Sequence, residues 1–427
     1  MNSTTHLTIT ISRGWLTTFA TSTIGVALGI LYVWSVIKSG IPDAWGWSNA
    51  DKALPYSIMT IAFSFTMVPA GRLQDIIGPR RVILLGGFLT GLGCIISGLG
   101  GDSKLAYVVG FGLVTGIGVG CGYCALAPSA MRWFPPQKTG FIVGIVVAGI
   151  GLSPVFLAPL SAWSLNFFQF VNDVGVVEKG ISNTIISLGF GIWAVVALCV
   201  GLIQIPPVGY TPGLYSMAST ARHTSDTSMT WRQMVSTSQF WLMFFMFFAG
   251  SATGLIFISV ATDLGKNALG SWAFLAVIVL SLGNSGGRIL AGILSDKIGR
   301  QLTMFCEFAC QGLVVCLLFW LSKHGGGSWF VVLFVVFMIG LNYGSNHALF
   351  PATCKDFYGL EHFGVNFGLL FCAFGTAGLV MPWLNGFLQD VTGKPDTSYI
   401  LIIAMMAVAS VLALVSRKLG PPELNKS

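Results

Sequence analysis

Charged residues are scarce in this sequence. Only 9% of its 427 residues are Asp, Glu, Lys or Arg, whereas a soluble domain carries about a quarter. Hydrophobic residues account for 54%, and the mean hydropathy is +0.80. Because so few charges do not cover a water-exposed surface, the composition excludes a soluble globule, a nucleic-acid-binding protein and a disordered chain. It indicates an integral membrane protein, and the net charge of +7 fits basic loops.

The sequence also lacks a disulfide framework and the motifs of metal or catalytic sites. Eight of its nine cysteines lie inside apolar stretches, and Cys354 ends one. Cys121 and Cys124 have C-x-x-C spacing, but they fall within an apolar stretch, where cysteine acts as a small packing residue. No H-E-x-x-H motif or Ser/His/Asp constellation supports catalysis. We therefore expect no metal, no cofactor and no enzyme activity.

Long apolar runs divide the chain into membrane-spanning segments, each of which needs about 20 mostly apolar residues. Twelve such runs occur, near residues 14–37, 53–77, 80–100, 105–131, 140–165, 182–205, 238–262, 271–295, 301–322, 328–354, 365–388 and 398–416. The one long polar interruption begins with two prolines and reads as a linker. The sequence thus predicts an all-α membrane protein with domains at 1–205 and 238–427, joined by a cytoplasmic linker at 206–237.

The two predicted halves repeat one loop motif. Gly71–Arg81 follows the second span, and Gly292–Arg300 follows the eighth. Three pairs of identical residues are each 221 positions apart: Gly71 with Gly292, Leu73 with Leu294, and Asp75 with Asp296. Repeated halves of this size are typical of transporters built from two parallel six-span units.

This repeated G-x-L-x-D-x-x-G pattern, followed by Arg within two residues in both copies, resembles the loop motif of the major facilitator superfamily, and the resemblance covers the whole chain. Three further stretches resemble the oxalate/formate antiporter family, which is related to the monocarboxylate transporters: Arg132–Pro135, Gln239–Trp241 and Asn366–Gly368. The resemblance implies two pseudo-symmetric six-helix bundles, and a transport cycle of alternating access. It also implies a central cavity lined by spans one, four, five, seven, eight, ten and eleven.

Basic residues predict the orientation of the chain. With both termini in the cytoplasm, fourteen Lys and Arg residues fall in cytoplasmic segments and seven in outer loops, as the positive-inside rule requires. In the repeated motif, Asp75 and Asp296 are expected to pair with basic neighbours or helix N-termini. We therefore predict a gating set at the cytoplasmic side, made of Asp75, Arg80, Arg81, Asp296 and Arg300.

Once Arg72, Arg80 and Arg81 at the span ends are counted with the cytoplasmic segments, Arg288 is the one Lys or Arg left inside the predicted spans, and Glu307 is the one acid clearly inside them. A charge at that depth costs at least about 2.5–3.5 kcal/mol, so it indicates a function. Arg288 lies about 12 Å from the cytoplasmic boundary by helical rise. A guanidinium matches a carboxylate with two parallel hydrogen bonds. The alternative is a structural ion pair between Arg288 and Glu307.

Residues at a similar depth on the cavity-lining spans complete a predicted binding site. Asn284, Tyr123, Tyr343 and His347 offer hydrogen bonds to an anion, whereas Leu28, Ala148 and Phe374 enclose a short alkyl group. Asn284 and the two tyrosines have the alternative of interhelical hydrogen bonds. His347 has the alternative of simply satisfying a backbone carbonyl.

Two departures from the related families shape the expected specificity. The oxalate-exchanging member carries a lysine where this chain has Phe374, so one cation here favours one carboxylate. Animal monocarboxylate transporters carry an aspartate where this chain has Asn284, which does not titrate. We therefore expect a proton to be carried by Asp263, or else by His347 or Glu307. Lys38, at the outer end of span one, is expected to attract anions.

Together these features predict a secondary transporter of a small, lactate-like monocarboxylate, coupled to protons by symport. The alternative is a carboxylate anion exchanger of the oxalate/formate type. The expected partners are the carboxylate, a proton and the lipid bilayer, with no nucleic acid and a monomeric state. The expected location is the plasma or inner membrane.

Overall fold

The computed structural model describes residues 3–134, 136–171, 177–204, 206, 229–324, 327–359 and 362–422. Within these ranges, twelve helical segments are long and apolar enough to cross a membrane. They begin and end within a few residues of the twelve predicted runs. The prediction of an all-helical membrane protein with twelve spans is therefore confirmed, whereas the orientation of its termini stays a prediction.

Contacts divide the chain into two compact units. Unit 1 covers Met1–Val33, Gly40–Pro42 and Phe65–Arg222. Its helices are α1 (Ser3–Leu28), α4 (Pro79–Leu99), α5 (Lys104–Tyr107), α6 (Thr115–Met131), α7 (Pro136–Gly151), α8 (Ser153–Phe167) and α9 (Ile181–Val200), with a 3₁₀ turn at Gly29–Val33 and a π-helical stretch at Val108–Val114. A short antiparallel hairpin pairs β1 (Phe170–Val171) with β2 (Val177–Glu178), a local feature that the hydropathy pattern does not predict.

Unit 2 covers Trp34–Ser39, Asp43–Ser64 and His223–Ser427. Its helices are α2 (Trp34–Lys38), α10 (Trp231–Val235), α11 (Ser238–Leu269), α12 (Leu275–Ile298), α13 (Arg300–Lys323), α14 (Trp329–Tyr358), α15 (Phe363–Thr392) and α16 (Asp396–Leu419), with 3₁₀ turns at Asp43–Trp45 and Gly270–Trp272. Helix α3 (Asn49–Ile77) contributes its first part to this unit.

The predicted domain boundaries differ from this grouping, because two segments of the first 64 residues pack with the C-terminal helices. Most of the predicted linker, residues 207–228, lies outside the described residues. The end of the linker is ordered by a capping box between Thr230 and Gln233. Met229 is held on both sides: its N–H donates to the Tyr358 carbonyl, and its carbonyl accepts from Asn366 Nδ2.

Glycines allow the helices of each unit to approach closely. In unit 1, Gly86 and Gly118 lie against the backbone of the facing helix in the α4–α6 pair. In unit 2, α12 and α14 pack through two G-x-x-x-G pairs: Gly283 and Gly287 on α12, and Gly340 and Gly344 on α14. Small residues at this spacing bring two helix backbones into contact, which is how many membrane helices associate.

A single methyl group tests this packing. A Cβ on Gly287 meets the Leu341 carbonyl, whereas a Cβ on Gly286 meets nothing within 4 Å. We expect Gly287→Ala to lower the stability of the purified protein by about 1–3 kcal/mol, because it overpacks a tight seam. Gly286→Ala is the matched control and is expected to be neutral or slightly stabilising, since alanine favours helix. Thermal unfolding in detergent measures both, and equal transition temperatures would contradict the close packing.

Candidate functional site

Arg288 projects from α12 one turn after Asn284. Its Nε donates a hydrogen bond to Asn284 Oδ1 over 3.4 Å. Within the described part of the chain, no acidic side chain forms an ion pair with Arg288, and Glu307 is not its partner. The structure therefore does not support the alternative of an Arg288–Glu307 ion pair. The guanidinium retains donors for a ligand.

Helix α14 carries Tyr343 and His347 and packs against α12. The backbone of Asn284 lies directly against Gly344, so the two helices meet at the site itself. His347 Nδ1 lies 3.2 Å from the Tyr343 carbonyl, and the two rings are edge to face with centroids 4.8 Å apart. This geometry fits the alternative in which His347 satisfies a carbonyl. Arg288 also acts electrostatically on the imidazole of His347.

Phe374 belongs to the same cluster from α15. Its ring centroid lies 5.5 Å from that of His347, and its side chain is only 2% exposed. It stacks on Phe371 at 4.8 Å and meets Phe63 edge to face at 6.1 Å. The resulting aromatic wall borders the imidazole. Sequence reasoning missed Phe63 and Phe371, because neither is distinguishable from other membrane phenylalanines before the helices are placed.

The other three predicted binding residues lie in unit 1. Leu28 is buried at the end of α1 and packs on Gly122, the residue before Tyr123 on α6. Ala148 is half-buried on α7, next to Gly149, which lies against the backbone of Ser22 on α1. The structure thus gathers five of the eight predicted residues in unit 2 and three in unit 1.

Lys38 and Asp263 form an ion pair that the sequence did not predict. Lys38 is 7% exposed, and its Nζ lies 3.7 Å from Asp263 Oδ2. Lys266 reaches the other oxygen of Asp263 at 3.3 Å. Ser35 and Thr262 share a hydrogen bond of 3.2 Å one turn away. Asp263, the first-choice proton carrier, is thus flanked by two ammonium groups, and Lys38 is a buried partner rather than a free surface charge.

Asp390 makes a second unpredicted contact within unit 2. Its carboxylate accepts hydrogen bonds from the backbone N–H groups of Asn49 and Ala50, each at 2.9 Å, and from Asn49 Nδ2 at 3.0 Å. These N–H groups belong to the first turn of α3, where a negative charge is favourable. Gly386 lets the two backbones come close enough for this cap.

The predicted gating residues are only partly described. Arg300 pairs with Asp296 at 2.8 Å and with Asp356 at 3.2 Å, and it also contacts Ser295 Oγ. Arg80 and Arg81 are exposed, and the side chain of Asp75 lies outside the described residues. The gating role of all five residues stays a prediction. Asp356, in the last turn of α14, is a partner of Arg300 that the sequence analysis missed.

Glu307 is buried in α13, seven residues after Arg300, and neither of its carboxyl oxygens has a hydrogen-bond partner. The described residues contain no group of three His, Cys, Asp or Glu side chains suited to a metal ion.

A polytopic transporter is defined by twelve apolar helical segments in the described residues, by the repeated loop motif, and by the half-buried Arg288, which has no acidic partner among those residues. A model of the Major Facilitator Superfamily matches residues 15–380 and 240–427. The chain therefore belongs to the major facilitator superfamily, whose members are transporters.

Individual proteins support this assignment. The chain is 25% identical to the oxalate:formate antiporter of Oxalobacter formigenes over 397 residues, which is 92% of this chain and 89% of the relative. It is 25% identical to human monocarboxylate transporter 11 over 403 residues, covering 91% and 79%. The crystal structure of a D-xylose–proton symporter superposes with a TM-score of 0.72 over 97% and 99% of the chains, at 14% identity. That last likeness shows the fold alone.

Proposed function

We propose that this protein transports small organic anions, and specifically lactate-like monocarboxylates, across the plasma or inner membrane. The single observation that carries the proposal is Arg288, an intramembrane guanidinium without an acidic partner among the described residues. A charge held at that depth marks a ligand site. The relatives named for oxalate and formate exchange and for monocarboxylate transport support an anionic substrate.

The neighbours of Arg288 suit one carboxylate with a short apolar tail. Arg288 supplies a fork of donors, and Asn284 holds that fork in place through the hydrogen bond to Nε. His347 presents its second ring nitrogen, and Phe374 closes the site with an aromatic face. With one cation at the site, a monoanion is neutralised, whereas a dianion retains one buried negative charge. As the family resemblance implies, we also assign Leu28, Tyr123, Ala148 and Tyr343 to substrate binding.

We propose proton symport by alternating access as the mode of transport, with anion exchange as the second candidate. Symport is supported by the single guanidinium, because one cation selects a monoanion. A monoanion and one proton then cross the membrane together without net charge. Exchange is supported by the similarity to the oxalate:formate antiporter along 92% of the chain. The cytoplasmic set around Arg300 and Asp296 serves as a gate in either mode.

Uptake of labelled monocarboxylates into proteoliposomes tests both modes. Symport predicts that an inward proton gradient accelerates uptake into vesicles that contain no carboxylate. Exchange predicts that trapped internal carboxylate is required and that the gradient has no effect. Absence of carboxylate uptake under both conditions would overturn the proposed function.

Arg288→Lys tests the binding role of the guanidinium. The ammonium keeps the charge but loses the fork, so one charge-assisted hydrogen bond worth about 1.5–3 kcal/mol is lost. We expect kcat/KM for uptake to fall by about 10–100-fold, with normal expression and normal elution on size-exclusion chromatography. Arg417→Lys, at an exposed position near the end of α16, is the matched control and keeps wild-type uptake. Near-normal uptake by Arg288→Lys would contradict the assignment.

Phe374→Lys tests the selectivity argument. A second cation near Arg288 and His347 favours a dicarboxylate, because a monocarboxylate then leaves one ammonium unpaired in a low-dielectric site. We expect lactate uptake to fall and competition by oxalate to appear or increase. Phe374→Leu, which removes the ring without adding a charge, is the control and does not gain oxalate competition. A wild-type protein that already prefers oxalate would contradict the one-cation account.

A further inference from the structure

Helix α13 carries a buried polar stripe away from the residues assigned to substrate. Thr303, Glu307 and Gln311 follow one another at four-residue spacing, so they share one face of the helix. All three are buried, with Glu307 6% and Gln311 4% exposed. A helix face that packs against other membrane helices ordinarily carries apolar or small side chains, so this stripe requires an explanation.

Two members of the stripe have no hydrogen-bond partner. Thr303 is satisfied, because its hydroxyl donates to the Gly299 carbonyl at 2.8 Å. Both carboxyl oxygens of Glu307, and both polar atoms of the Gln311 amide, are buried without a partner. A buried polar group left unsatisfied is unfavourable, and a buried unpaired carboxylate far more so. These four atoms therefore point to a ligand.

Helix α16 supplies the facing surface. Lys323 pairs with Asp396 where the two antiparallel helices meet at one end, and Gly312 lies against Met406 further along. This register sets Ser410 of α16 level with the space between Glu307 and Gln311. The Ser410 hydroxyl donates to the Met406 carbonyl at 2.8 Å, so its oxygen retains a lone pair for a donor.

The same register sets Ser416 level with Thr303, one turn nearer to the Arg300 end of α13. The Ser416 hydroxyl is fully buried and has no hydrogen-bond partner. Together, Thr303 and Ser416 extend the polar stripe from Glu307 toward the Arg300–Asp296 ion pair. A hydroxyl group both donates and accepts a hydrogen bond, which is the property that a proton relay requires.

No charged group neutralises Glu307 within the described part of the chain. Helices α12, α14 and α16 pack against α13. Their titratable residues are Arg288, Asp296 and Lys297 on α12; Tyr343, His347, Cys354, Lys355, Asp356 and Tyr358 on α14; and Asp396, Tyr399, Arg417 and Lys418 on α16. By helical rise, Arg288 and His347 are the ones nearest in depth to Glu307, and their polar contacts are with Asn284 and the Tyr343 carbonyl instead.

We propose that Glu307 and Gln311 form the binding site for the transported proton, which Glu307 holds as a neutral carboxylic acid. The acid hydroxyl donates to the Gln311 amide oxygen, and the amide nitrogen donates to the acid carbonyl, so that small side-chain rotations satisfy all four atoms. When Glu307 releases the proton, a carboxylate remains. The proton reaches the cytoplasm along the hydroxyl groups of Thr303 and Ser416, toward the Arg300 end of α13. This assignment rests on the proposed symport and identifies its coupling group.

Infrared absorption tests whether the Glu307 carboxyl group carries a proton. A carboxylic acid C=O stretch is separate from the carboxylate bands, so purified wild-type protein at neutral pH is expected to show one acid band. Glu307→Gln loses the band, Gln311→Leu shifts it, and Glu178→Gln, an acid outside the spans, leaves it unchanged. A wild-type spectrum without an acid band overturns the proposal even if a variant fails to fold. A band unaffected by Glu307→Gln or by Gln311→Leu overturns it too.

Transport measurements test whether this proton is the coupled one. In proteoliposomes, Glu307→Gln is expected to keep exchange of internal for external monocarboxylate near the wild-type rate. In the same variant, the stimulation of monocarboxylate uptake by an inward proton gradient is expected to fall by at least about fivefold, which corresponds to the lower end of typical coupling free energies between two sites. Asp263→Asn keeps the stimulation. Stimulation that survives in Glu307→Gln, or is lost in Asp263→Asn instead, overturns the assignment. Wild-type protein that takes up no monocarboxylate would instead refute the proposed function. The infrared result does not depend on transport and tests the protonation of Glu307 separately.

Discussion

The positive charge of Arg288 is the constraint on which the rest of the account depends. Hydrocarbon does not solvate a guanidinium, and no acidic side chain of the described residues neutralises it. Under the proposed function, the counterion of this charge is the transported anion. Asn284 orients the guanidinium without neutralising it, because an amide oxygen carries no net charge.

Close helix packing makes the site possible. Four glycines bring α12 and α14 into backbone contact, so the helix that carries Asn284 and Arg288 packs directly on the helix that carries His347. The buried phenylalanines of α15 also border the imidazole of His347. A bulkier seam would separate the two helices and loosen the geometry of the guanidinium. The high glycine content of the chain, 54 residues, is thus connected to the site through particular contacts.

The features that the sequence predicts are those that depend on local hydropathy, on the repeated motif and on the small number of charged residues. Hydropathy located the spans, whereas the domain boundaries drawn from the repeat and the anion site drawn from Arg288 stay predictions. It did not predict the Lys38–Asp263 pair or the Asp390 cap, because each joins residues more than 200 positions apart. Nor did it show that Glu307 lacks a partner, since burial and pairing depend on which face of α13 meets α16. Aromatic residues such as Phe371 carry no distinguishing signal until their neighbours are known.

The central claim is that the substrate carboxylate binds Arg288 with its tail toward Phe374. A crystal structure with a bromine-substituted monocarboxylate tests it most directly, because anomalous scattering locates the bromine independently of the protein. The account predicts the carboxylate within hydrogen-bond distance of the Arg288 guanidinium and the bromine against the Phe374 ring. A carboxylate bound to Lys38 or Lys266, with Arg288 unoccupied at saturating ligand, would contradict it.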